Sequence, residues 1–177
     1  MSTYTFVLFI HVASALLLFI AFGIEWATVT YLRQATTPAE AQMWLRYGRF
    51  SPVLNGPALA VLVLTGGYLA SVLGAMKFGW IPGSLIGIVI VMLLGIVINV
   101  PKMRRIRLAI PTGGEALTAA LQNKMLLVSV RLRAFAALGI VFMMATKVRF
   151  EYCLLALLCG LVLGLLSSLP ALRRKPA

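Results

Sequence analysis

The apolar positions of this chain fall into runs of roughly twenty residues, separated by short stretches that collect arginine, lysine, glycine and proline. Runs of that length suit a hydrocarbon layer about 30 Å thick at about 1.5 Å of helix rise per residue. Four are plain: Tyr4 to about Leu32, about Pro52 to Met76, about Ile81 to Val100, and about Tyr152 to Leu169. Ser51-Pro52 and Asn55-Gly56-Pro57 open the second, Trp80-Ile81-Pro82-Gly83 opens the third, and Pro101 and Pro170 are expected to stop the third and the last.

A further span, about Arg131 to Val148, is less regular, because its clean apolar core covers only Ala134 to Thr146. Upstream, Thr112-Gly113-Gly114-Glu115 has the form of a capping box. From Ala116 to Val130 the pattern is amphipathic, with Leu117, Leu121 and Val128 on one stripe. A single helix from about Gly113 to Lys147 would be on the order of 50 Å long. Its first half is expected to reach into water or lie at the interface, with Arg131 and Arg133 snorkelling at the boundary.

Composition agrees with this patterning: of 177 residues, 62% are hydrophobic and 11% charged. A soluble domain of this size has no core deep enough for such runs. The expected fold is therefore all-α, a single integral membrane domain over residues 1–177 built as a five-helix bundle, with an amphipathic helical extension before the fourth span. The first span lacks a basic leader and is read as a retained helix.

Charge then orients the bundle. Arg33, Arg46 and Arg49 come after the first span; Lys102, Arg104, Arg105, Arg107, Lys124, Arg131 and Arg133 lie between the third and fourth; Arg173, Arg174 and Lys175 close the chain. Only Lys77, Lys147 and Arg149 fall on the other side. The positive-inside rule puts the N-terminus outside and the C-terminus in the cytoplasm of a bacterial inner membrane. The net charge of +12 points to anionic lipid rather than nucleic acid, since no basic run alternates with aromatic residues.

Few side chains carry chemistry. His11, the single histidine, stands inside the first span, and an imidazole at that depth needs a partner. It shares a helix stripe with Ser14, Leu18 and Glu25 that is expected to face the bundle. Three roles are open to it: an interhelical hydrogen bond, an axial bond to haem (haem b), or a proton- or quinone-binding group. Met143 and Met144 lie at a comparable depth and are the candidate second haem ligands; a five-coordinate or dimer-shared haem is the other arrangement. Glu25, Asn55, Asn99, Arg131 and Arg133 should meet near the cytoplasmic boundary, as a polar cluster centred on a Glu25–Arg pair. Gly83-x3-Gly87 and Gly160-x3-Gly164 suit close helix contact. Cys153 and Cys159, six residues apart, form neither a redox motif nor a disulfide.

Phe9-Ile10-His11-Val12-Ala13-Ser14-Ala15-Leu16, Leu64-Thr65-Gly66-Gly67-Tyr68-Leu69 and Met143-Met144-Ala145-Thr146-Lys147 together form a pattern. It resembles a family of small bacterial predicted integral membrane proteins of unknown function. Those are distantly similar to CopD-type and HemJ-type multi-pass bundles, and the resemblance implies a first-helix histidine, here His11, associated with metal or haem. The further histidines and metal motifs of those bundles are missing from this chain. The function expected is that of a non-enzymatic accessory or structural subunit, packed against other membrane subunits or copies of itself. The alternative is a haem- or quinone-associated membrane protein using His11.

Overall fold

The computed structural model describes residues 2–173, without the side chains of Ala171 and Arg173, so the basic tail of Arg173, Arg174 and Lys175 falls outside the described side chains. The described residues are helical, with short connections, and five helical segments are long and apolar enough to cross a membrane. Helix α1 runs Thr3–Leu32 and is capped by Ser2, whose hydroxyl accepts the Thr5 N–H. Helix α2, Pro38–Gly48, leads almost directly into α3, Phe50–Val72. Then come α4, Trp80–Leu94, a π turn over Gly95–Asn99, α5, Val100–Ala109, and α6, Gly114–Leu121. Helices α7, Lys124–Thr146, and α8, Phe150–Arg173, complete the chain.

Helix α7 packs against α8, α4 and α1. Helix α3 lies against α1 and α2, and no extensive contact joins it to α4, α7 or α8. The expected stripe of α1 is the one that faces inward: Ser14, Leu18, Ala21, Phe22 and Glu25 are buried, while Phe9, Val12 and Leu16 are exposed. At mid-depth Leu18 and Phe22 meet Val91, Ala136 and Ala137.

Several helix ends differ from those expected. Helix α3 ends at Val72 rather than Met76, because Gly74 takes up a left-handed conformation (φ 58°) that a helix cannot continue through. Pro101 does not stop the third span, which continues from Trp80 to Ala109. The π turn directly before it, marked by the Val100 N–H bonding to the Gly95 carbonyl five residues back, makes room for the proline ring. Pro170 likewise stays inside α8, which runs on to Arg173.

The long fourth helix is broken. Gln122 and Asn123 interrupt it, and the Asn123 side chain accepts the Met125 N–H at 3.1 Å to start α7 afresh. The capping box does not form: Thr112 bonds back to the Ala109 carbonyl, and Gly113 (φ 60°) precedes α6 without a side-chain cap. Helix α6 folds back onto the bundle. Leu117 and Leu121 are buried with Val29, Leu32, Leu45, Ile106 and Leu126, so α2, α5 and α6 close one end of the bundle in a small core shared with α1 and α7. Burying that apolar face costs less free energy than leaving it in water.

Candidate functional site

A buried charged cluster joins three segments. Glu25 of α1 receives two hydrogen bonds from Arg133 Nη1 of α7, at 2.9 Å to Oε1 and 2.8 Å to Oε2. Asn99 Nδ2, from the π turn, donates to the same Oε1 at 2.5 Å. The Glu25 and Arg133 side chains are 11% and 8% exposed, so the pair is buried rather than snorkelling. The π turn has a clear part in this. One extra residue in a turn rotates the remainder of the helix by about 100°, and Asn99, last in that turn, faces the carboxylate. Gly95, first in the turn, leaves room for the guanidinium: a Cβ there would stand 3.2 Å from Arg133 Cζ. Arg133 also lies over the Phe22 ring, 5.1 Å from its centroid.

Arg131 and Asn55 do not join this cluster. Two residues before Arg133, Arg131 points to a different helix face, lies over Trp26 at 5.1 Å, and donates from Nη1 to the Ser167 carbonyl of α8. Asn55 is half-buried and makes no side-chain hydrogen bond among the described residues. Asn99→Leu is therefore expected to destabilise the bundle by about 1.5 kcal/mol or more, the worth of a hydrogen bond to a charged group. Asn55→Leu should leave the unfolding midpoint in a sodium dodecyl sulfate titration unchanged.

His11 bonds α1 to α3. Its Nδ1 lies 3.0 Å from Thr65 Oγ1, and that hydroxyl is 2.6 Å from the Val61 carbonyl. A carbonyl can only accept, so the single hydroxyl hydrogen of Thr65 goes to Val61. Thr65 must then accept from His11, which fixes the neutral ring as its Nδ1–H tautomer and leaves the lone pair on Nε2. Gly66 provides the space, since a Cβ there would approach His11 Cε1 to 3.0 Å.

The methionines face elsewhere. Met143 is fully buried with Cys153 and Leu157, beside Trp80, Ile90 and Ile140, and its sulfur is turned toward Gly83 of α4. Met144 is half-buried. His11 and Met143 thus have different sets of neighbours, and the pair is not assembled as two ligands of one haem. Cys153 is buried and Cys159 exposed, both free thiols.

The glycine pairs meet their expected close contacts. A Cβ on Gly83 would fall 2.6 Å from Cys153 Cβ, and one on Gly160 would fall 2.7 Å from the Phe135 carbonyl oxygen. Beside that second contact, the outer faces of α7 and α8 form an apolar groove of about 510 Å³, with Gly139, Ala156 and Gly160 between the larger Phe135, Phe142 and Leu155.

The π turn and helix α2 are missing from the sequence-based expectations. The π turn leaves little trace in the residue pattern, but α2 does have a signal: Thr37-Pro38-Ala39-Glu40. The Thr37 hydroxyl accepts the Glu40 N–H at 3.2 Å, and the Glu40 carboxylate accepts the Thr36 N–H at 2.8 Å.

The described residues form an all-helical fold whose five long apolar helices fit a multi-pass membrane protein. Comparison with protein families, with curated proteins and with solved structures gave no match to this chain.

Proposed function

We propose that the chain is a non-enzymatic accessory subunit of a bacterial inner-membrane assembly, packing against other membrane subunits or against copies of itself. The observation that carries this reading is where the deep polar groups are used. Glu25, Asn99 and Arg133 tie α1, the π turn and α7 together; Ser129 Oγ donates to the Leu94 carbonyl at 3.2 Å; Arg131 ties α7 to α8; His11 and Thr65 tie α1 to α3. Each is a helix-to-helix bond, the use a scaffold makes of polar residues in lipid. The apolar groove on α7 and α8, with glycine and alanine between larger residues, suits a helix from a neighbour. Native purification in mild detergent is expected to return either stoichiometric membrane partners or a defined homo-oligomer. A stable monomer recovered without partners would overturn the proposal.

A second reading has one observation in its favour: His11 Nε2 keeps its lone pair while Nδ1–H is anchored, the arrangement of a histidine that binds iron or accepts a quinol hydroxyl. The residues fit haem in part only. His11 could supply one axial bond, whereas Met143 is packed against other neighbours. An absorption spectrum decides it: a Soret band lost in His11→Ala would favour haem, and a colourless folded protein would exclude its haem form.

A further inference from the structure

Beside the closed end of the bundle is a pocket of about 280 Å³, between α5, α6 and the start of α7. That is the space of about nine water molecules at roughly 30 Å³ each. Lys102 and Arg105 of α5 line it, together with small side chains that include Ala116 and Ala119 of α6 and with Asn123 at the N-terminus of α7. The Asn123 side-chain carbonyl oxygen is committed to the Met125 N–H, so the group it has left to offer is the Nδ2 donor.

Among the described residues neither cation forms an ion pair, since the ion pairs are Arg133 with Glu25 and Arg149 with Glu151. Lys102 and Arg105 stand three residues apart on one helix face, where like charges repel unless an anion lies between them. Depth fixes the source of that anion. Lys102 comes two residues after Val100, where the apolar run ends, so in a bilayer spanned by that run it would stand at the headgroup layer rather than in bulk water.

We propose that this pocket is a binding site for the phosphate of one anionic phospholipid, with Lys102 and Arg105 as its cationic walls and the Asn123 amide as a third donor. The alanines leave room for the phosphodiester, and the lipid tails would run along α4 and α5 into the bilayer. The proposal goes beyond a general attraction between a basic protein and an acidic membrane, because it names one site and one stoichiometry.

The test uses the whole chain in micelles containing equal phosphatidylcholine and phosphatidylglycerol, in about 0.15 M salt so that charges more than about 8 Å away are screened. Native mass spectrometry reads the lipid retained. One phosphatidylglycerol is expected to stay with the native protein in preference to phosphatidylcholine. The double variant Lys102→Gln/Arg105→Gln should bind it about thirtyfold more weakly. Ala119→Leu, which narrows the pocket without changing charge, should lose it as well. Arg104→Gln/Arg107→Gln removes the same charge from α5 outside the pocket and should retain it. Equal retention of the two lipids, or equal losses in the two double variants, would overturn the proposal. So would displacement of the lipid by inorganic phosphate at low millimolar concentration, which would assign the pocket to a soluble anion.

Discussion

Arg133→Met is expected to destabilise the bundle by about 3–5 kcal/mol, because it strands the Glu25 carboxylate inside the protein without its partner. Glu25→Gln should be harmful too, since it leaves the guanidinium of Arg133 with no compensating charge. The double variant Glu25→Leu/Arg133→Met removes both charges, and such replacements are often neutral or stabilising. It should recover most of the loss. Titration with sodium dodecyl sulfate, monitored by far-ultraviolet circular dichroism, gives the midpoints. This pattern belongs to a brace between helices. If either single variant kept native stability, the brace would be excluded, and the cluster would have to be reconsidered as part of an ion or proton path.

The second large effect concerns α7 and α8. Gly160→Leu should destabilise their contact by about 1–3 kcal/mol or more. The colliding atom is the Phe135 carbonyl oxygen, part of a helix backbone that cannot turn aside as a side chain would. Gly67→Leu is the matched control, because a Cβ there meets nothing within 4 Å. It should leave the midpoint at or above the native value, since leucine also has the better helix propensity. If both variants behaved alike, the loss would come from added bulk on a membrane helix rather than from this contact.

The spans and the inward face of α1 were legible because burial in lipid leaves long apolar runs, and because helical periodicity puts Ser14, Leu18 and Glu25 on one line. The Glu25–Arg133 pair was legible as well, from the rule that a charge at depth needs an opposite charge. Which arginine would be chosen was not. Arg131 and Arg133 have the same composition and nearly the same depth, and only the rotation of about 200° between them separates a carboxylate from Trp26 and the Ser167 carbonyl. Prolines misled in the other direction. Pro101 and Pro170 read as stops, yet a π turn takes up the first and α8 passes through the second, as membrane helices allow. The break at Gln122-Asn123 was hidden because an asparagine cap looks like one more polar position in an amphipathic pattern.

The Glu25–Arg133 bond also spans 108 residues of sequence. A ribosome adding about 5–20 residues per second makes the glutamate roughly 5–20 s before it makes the arginine. During that interval α1 and α3 can pair through His11 and Thr65, but the carboxylate lacks the Arg133 guanidinium that it meets in the finished fold. The polar contact that Glu25 makes in the finished bundle is therefore closed only when the fourth span arrives.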